Sequence, residues 1–291
     1  MYRRTLLAGL SATFGGLAGC NTPGTGSTNS TNSTGPESDS EFSGMSIPDL
    51  PGEGGVTWYH KADETTQAFV RPSTERAELP TQIEFTFFNR SQESTSCGGW
   101  DLYKLQEDQW FHIGPYAHDG ICENLPAGES ESWTIEVAAD EMDSNHEDHF
   151  PYLGGGHYAA VAGYGHTTSE SAALVKFDAP TISVVPTDDV TSESDGDTVT
   201  VTVEEWQTES DDGDRGIVTL ERAQTADRKM IAEQVMQNRG YRNLLAHMSS
   251  DVERVVLRTN KRTADEIVGF DAETRRFQYA NQAYRVRRNE P

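Results

Sequence analysis

Histidines and carboxylates carry the chemistry most easily read from this chain. Six of its eight histidines fall between positions 112 and 166, namely His112, His118, His146, His149, His157 and His166. His146-Glu147-Asp148-His149 sets two imidazoles three residues apart with carboxylates between them, residue types that ligate divalent cations. The surrounding loop, Asp140 to Tyr152, is acidic and long. The spacing is not that of His-Glu-x-x-His, and no helical periodicity presents both rings on one face. Surface histidines in an acidic loop are the competing reading, so His146, Glu147 and His149 stand only as candidate ligands and no cofactor is expected. Nucleophilic catalysis has less to build on. There is no Gly-x-Ser-x-Gly elbow and no Gly-x-x-x-x-Gly-Lys-Ser phosphate loop.

The first twenty residues give an address. Arg3 and Arg4 precede an apolar run from Thr5 to Gly19, too short for the roughly 20 residues of a spanning helix. A cleaved export signal over 1–19 is the expectation, and the arginine pair resembles twin-arginine signals. Leu17-Ala18-Gly19-Cys20 resembles the lipobox of bacterial and haloarchaeal lipoproteins. That resemblance implies a lipid on the Cys20 thiol, localisation at the outer face of the cell membrane, and the membrane as partner. Two acyl chains anchor stably where one does not.

After Cys20 the chain is almost entirely Ser, Thr, Asn, Gly, Pro and acidic residues. Such a stretch cannot bury enough apolar surface to order itself, so a disordered tether is expected over 20–50. Asn29 and Asn32 open Asn-Ser-Thr sequons and Asn89 an Asn-Arg-Ser sequon, and all three are glycosylation candidates. With Cys20 lipidated, Cys97 and Cys122 are the remaining thiols of an exported chain, and an oxidising exterior favours a disulfide between them. Two free thiols or a Cys/His metal site are the alternatives.

The chain has 291 residues and a formal charge of −24, from 47 acidic and 23 basic side chains. Only five of the basic residues are Lys. A Lys-poor, acidic surface resembles that of haloarchaeal proteins; molar salt shortens the Debye length to about 3 Å and screens the self-repulsion. This balance argues against nucleic acid as a partner, because phosphate recognition needs basic surface. The charge is uneven. Residues 1–197 hold 31 acidic and 8 basic side chains, whereas residues 198–291 hold 16 and 15. The break falls in an acidic, polar run read as a linker over 187–197.

Between 51 and 186 apolar residues alternate with period two, with turn residues every 8 to 15 positions. Ile83, Phe85 and Phe87 share one face, as do Trp133, Ile135 and Val137. The pattern predicts an antiparallel β-sandwich. The segments EFTFFNRS, WDLYKLQEDQWFHI, LPAGESESWTIEV and GGGHYAAVAG resemble bacterial immunoglobulin-like domains over about residues 80–180. The likeness implies a tyrosine corner at Tyr158 and a tendency to bind or space, without a chemistry. Gly154-Gly155-Gly156 reads as a hinge into the Tyr158 strand.

Residues 198–291 predict a small α+β domain. Strands are expected near Val199–Val203, Ile217–Leu220, Val252–Leu257, Glu266–Phe270, Arg276–Tyr279 and Ala283–Val286, with helices over Ala226–Asn238 and Tyr241–Met248. Arg254, Arg258, Arg262, Arg275, Arg276, Arg285, Arg287 and Arg288 crowd its end. They read either as a docking surface for an acidic partner or polyanionic glycan, or as partners of nearby acids. The fold class expected overall is mainly β, an immunoglobulin-like antiparallel β-sandwich followed by a small α+β domain. The function expected is a lipid-anchored, non-catalytic binding or spacer module, partnered by the membrane and by another envelope protein or glycan. A secreted metal-dependent hydrolase using the His146–His149 loop and the substrate-binding lipoprotein of an importer are the alternatives.

Overall fold

The computed structural model describes residues 40–52, 55–95, 99–116, 124–142, 148–163, 169–208 and 215–289. The protein is mainly β and sandwich-like. Its first ten strands are β1 (Gly55–Trp58), β2 (Ala68–Pro72), β3 (Arg76–Glu78), β4 (Thr81–Asn89), β5 (Trp100–Gln106), β6 (Gln109–Gly114), β7 (Ser130–Val137), β8 (His149–Phe150), β9 (Gly156–Ala162) and β10 (Ser169–Asp178). One sheet runs β2-β4-β7-β8 and the other β1-β10-β9-β5-β6, with β3 also on β10. The β3–β10 pairing is parallel and the β10–β9–β5–β6 pairings are antiparallel. This is the strand order of an immunoglobulin-type sandwich.

Alternation explains the smaller sheet. In β4, Ile83, Phe85 and Phe87 are buried while the intervening side chains point outward. The larger sheet behaves differently, because β9 and β10 carry nearly continuous Ala, Val and Leu. Both of its faces are covered, and a run apolar on both sides is what such a position demands. One face meets the smaller sheet through Leu102, Tyr158, Ala160, Val175 and Phe177. The other face, with Ala159, Val161, Ala172, Leu174 and Trp110, is covered by Phe42 and Leu50. Trp110 Nε1 donates to the Pro48 carbonyl at 2.9 Å. The ordered body therefore already includes residues 40–50, the last part of the expected tether, because two large apolar side chains there find a sheet face to cover.

The rest of the chain forms β11 (Val190–Asp195), β12 (Thr198–Val203), α1 (Glu204–Thr208), β13 (Arg215–Arg222), α2 (Ala232–Met236), α3 (Arg239–Leu245), β14 (Arg254–Asn260), α4 (Lys261–Val268), β15 (Thr274–Tyr279) and β16 (Gln282–Asn289). These strands make one sheet, in the order β11-β12-β14-β13-β16-β15, parallel only between β12 and β14. Helices α3 and α4 cover one face, packing Tyr241, Leu244 and Ile267 on Val201, Val218, Leu257 and Phe277.

Three expectations change here. The acidic stretch read as a linker contains β11, an exposed edge strand paired residue for residue with β12. Glu266 lies in α4, not in a strand. The Asn260 side chain accepts from Thr263 N at 2.8 Å, a cap that starts a helix, and Ala264, Ile267 and Val268 then share its buried face. The helix expected over Ala226–Asn238 shrinks to α2. Residues 228–230 instead pair with the edge of β15: Gln278 N donates to Arg228 O and Met230 N to Gln278 O, at 2.8 and 2.9 Å. An available strand edge outweighs a helical propensity of a few tenths of a kcal/mol per residue.

The described residues of the two halves belong to one compact unit. Ile231, just before α2, lies in the core of the sandwich. Glu233 accepts from Lys104 Nζ of β5, with side chains only 3% and 8% exposed, and from Gly154 N at 3.2 Å. Gln234 Nε2 adds a bond to the His112 carbonyl at 2.9 Å.

Candidate functional site

Where α2 and α3 meet the sandwich, a cleft of about 820 Å³ opens, within the range usual for small-ligand sites. The end of β6, residues 149–152, residues 187–189 and the α2–α3 junction supply its walls. Arg242 holds these walls together. Its Nε donates to Val185 O at 2.7 Å, Nη1 to the Tyr152 hydroxyl at 2.8 Å and Nη2 to Pro186 O at 3.2 Å. Its guanidinium also lies 4.8 Å from the centre of the Tyr152 ring. A guanidinium held by all three of its nitrogens sets the wall.

The neighbours of Arg242 are of mixed sign. Arg239 pairs with Asp189 at the rim. Burial of Asp189 opposes its ionisation, but a hydrogen bond from Thr187 and the Arg239 charge outweigh it and hold the carboxyl below its ordinary value. Glu141 and His149 line another wall, and Tyr116, 72% exposed, projects at the mouth. Its ring meets the edge of His112, whose Nε2 lies 2.8 Å from Asp101 Oδ1. Charged acceptors, guanidinium and imidazole donors and flat rings together suit a small hydroxylated or zwitterionic molecule. No serine or cysteine is among the described residues of the cleft.

Of the residues singled out from sequence, His149 reaches this cleft, with Glu136 and Asp148 carboxylates 3.6 and 3.8 Å from its Nε2. His146 and Glu147 lie outside the described residues, as do Cys20, Cys97, Cys122, Asn29 and Asn32. Among the described residues no group of three or more His, Cys, Asp or Glu side chains is arranged to hold a metal ion. The histidines scatter: His157 meets Phe42 on the outer face of the sandwich, and burial, then the Lys176 charge, lowers its pKa. Two residues before Cys97 and three after Cys122, Thr95 N donates to Leu125 O at 2.9 Å.

Asn89 does not suit glycosylation in this fold. It is 1% exposed, and its Nδ2 donates to the carbonyls of Glu93, Leu125 and Pro126 at 2.9 to 3.1 Å. A sugar on that nitrogen would break the bonds that close the β4 loop. The glycine run is likewise no hinge. Gly154 O accepts from the Tyr158 hydroxyl at 2.7 Å, tying this strand to its upstream backbone, and a Cβ on Gly155 would lie 2.4 Å from Ala179 O. Close backbone approach is what requires glycine there.

Sequence reasoning passed over the cleft residues Tyr152, Asp189, Arg239 and Arg242. Their one local signal is weak, a tyrosine after a proline that takes a positive φ of 58°.

Compared with family models and with curated proteins, the chain has no match. Among solved structures it is similar to part of a β-glucosidase from Erythrobacter marinus, at 10% identity and TM-score 0.24 over 38% of this chain and 15% of that one. A β-glucosidase from Listeria innocua in complex with gluconolactone gives 15% identity and TM-score 0.24, over 40% and 16%. A further structure of the Listeria innocua enzyme gives 13% and 0.23, over 47% and 21%. The chain thus spans about a fifth or less of these enzymes, and likeness at that level carries no argument about function.

Proposed function

We infer that the protein is an exported, lipid-anchored, non-catalytic binding module. The address rests on Arg3-Arg4, the short apolar run and Leu17-Ala18-Gly19-Cys20, with the thiol of Cys20 as lipid acceptor. No described helix is long and apolar enough to cross a membrane, so the lipid is the attachment proposed. The Cys97–Cys122 disulfide belongs to the same reading, since an oxidising exterior favours it, and Thr95 and Leu125, close to the two cysteines in sequence, are hydrogen-bonded.

The observation that carries the binding role is the cleft. Its walls are locked by Arg242 and by the buried Lys104–Glu233 pair, and its lining alternates donors, acceptors and rings. Rigid walls lower the ordering cost of binding. The test has two arms. Cys20→Ser should move the protein from the membrane fraction to the soluble one; unchanged detergent partitioning would remove the anchor. Ligand screening by thermal shift against sugars, amino acids and small zwitterions should yield a ligand whose shift is lost in Arg239→Ala. A hit unaffected by that variant, or substrate turnover by the protein, overturns the cleft as a non-catalytic binding site.

A further inference from the structure

The helices cover one face of the C-terminal sheet, and no element of the described chain is packed over the centre of the other. Register aligns that open face in three rows across the strands, with Asn260 and Arg215 paired beyond them at one end. The first reads Asp195, Thr198, Arg254, Glu221, Arg285, Arg276. The second reads Glu193, Thr200, Val256, Thr219, Arg287, Thr274 and the third Thr191, Thr202, Arg258, Ile217, Asn289. The arginines crowded in sequence are thereby sorted. Arg262 pairs with Glu266 on α4, while Arg275 and Arg288 reach carbonyls of Glu266 and Gly269 on the helical side. The other five lie on the open face.

Their arrangement is not that of charges neutralised within the fold. Glu221 takes Arg254 on one oxygen and Arg285 on the other, at 2.8 and 2.7 Å, and the Arg285 hydrogen bond, then Arg254, holds its carboxyl below the ordinary value. Arg258, Arg276 and Arg287 are exposed and have no ion pair among the described residues. Arg276 stands directly opposite Arg285 on the neighbouring strand, and Arg287 is two residues along. Like charges facing each other across a strand pair are destabilising. A chain with 47 acidic side chains had ample means to place one there, yet no acid occupies the open face of β15 or β16.

We propose that this open face docks a linear polysaccharide bearing carboxylate or sulfate groups, held by Arg258, Arg276, Arg285 and Arg287. Charge complementarity selects a polyanion, and guanidinium forks match carboxylate and sulfate oxygens in pairs. The lattice selects a polymer. Residues within a row lie about 4.8 Å apart and successive rows about 6.8 Å apart, so the arginines toward β15 and β16 can meet several anions of one chain, with the acids Glu193 and Asp195 at the far edge on β11. The apolar content disfavours a protein partner. Among the described residues Val256 and Ile217 are the aliphatic side chains of any size in these rows, both half-buried, and the aromatic at this face, Trp206 of α1, lies at one end, its ring centre 5.1 Å from the Arg215 guanidinium, rather than at the centre where protein interfaces set their anchors. This surface is distinct from the cleft, and the docking stands whether or not the cleft binds a small molecule.

The test uses the full chain in neutral detergent at about 0.15 M salt, where the Debye length is about 8 Å. Immobilised dextran sulfate and polygalacturonate should both retain the protein, and neutral dextran should not. The double variant Arg276→Glu, Arg287→Glu should bind at least about tenfold more weakly with its melting temperature kept. The Lys double variant should fall between, since it keeps charge and loses the fork. Absence of retention on both anionic matrices overturns the proposal, and so does equal binding by the Glu variant. Sedimentation showing self-association that the same variant abolishes, without polymer binding, would assign the face to a second copy instead.

Discussion

The two halves of this protein treat their sheets in opposite ways. The larger sandwich sheet is buried on both faces, by the smaller sheet on one side and by Phe42 and Leu50 on the other. The C-terminal sheet is buried on one face only, and its other face carries six arginines, Arg215 included, and a ladder of threonines. Burial on both faces leaves the sandwich no broad polar surface, so its acids lie on rims, loops and the outward side chains of the smaller sheet. The open sheet keeps a flat polar surface where position along a strand sets charge spacing. What joins two such different layers is mostly polar: Ile231 in the sandwich core, the buried Lys104–Glu233 pair, the more exposed Lys229–Glu107 pair, and hydrogen bonds from Gln234 and Arg242 to His112 and Tyr152.

The most damaging test of that comparison removes the joint. Glu233→Ala leaves the Lys104 ammonium buried and alone, at a cost of about 3–5 kcal/mol, whereas replacing both partners by apolar residues should restore much of it. Urea unfolding should follow one transition by tryptophan fluorescence, which mostly reports the sandwich since four of the five tryptophans lie there, and by circular dichroism. Two separated transitions in the unmodified protein would break the picture of one cooperative unit.

A second test sharpens the sandwich side. Burial, with a smaller contribution from the Lys61 charge, pushes the His60 pKa from 6.5 down to about 4. Folded His60 is therefore neutral where the unfolded chain takes up a proton. Its contribution is full above pH 6.5, falls as the pH drops toward 4, and is level below that. The slope approaches about 1.4 kcal/mol per pH unit inside the window. His60→Gln should flatten the stability profile between pH 4 and 6.5, and an unchanged slope would assign the dependence to other groups.

Tyr158→Phe removes one hydrogen bond to Gly154 O and leaves that carbonyl without its phenol. A loss of about 1–2 kcal/mol is expected, read as a shift in urea midpoint at constant m-value. The smallest effect belongs to the open sheet. Arg258→Glu should change stability by no more than about 0.5 kcal/mol, because no described partner is lost. A larger loss would mean that the arginine face holds the fold together.

Much of the architecture was legible one strand at a time. Ile83-Phe85-Phe87, Trp133-Ile135-Val137 and Val199-Val201-Val203 alternate as half-buried strands must, and Tyr158 after a glycine marked its corner. Period two is a local property, fixed by the direction of successive Cβ atoms. Where tertiary pairing competed with local preference, local reading failed. Residues 228–230 found a strand edge, Glu266 fell within a helix capped six residues upstream, and β11 came from an acidic run without apolar alternation.

The sequence by itself determined composition, charge asymmetry, the Leu17-Ala18-Gly19-Cys20 motif and the period of most strands, because each is carried by neighbours along the chain. Only the tertiary structure decided which residues share a surface. It took Asn89 out of reach of a glycan, sorted the crowded arginines onto two sides of one sheet, and assembled the cleft from segments up to about 130 residues apart. Strand register and layer packing depend on contacts distant in sequence, and side-chain spacing across strands exists only once those contacts form.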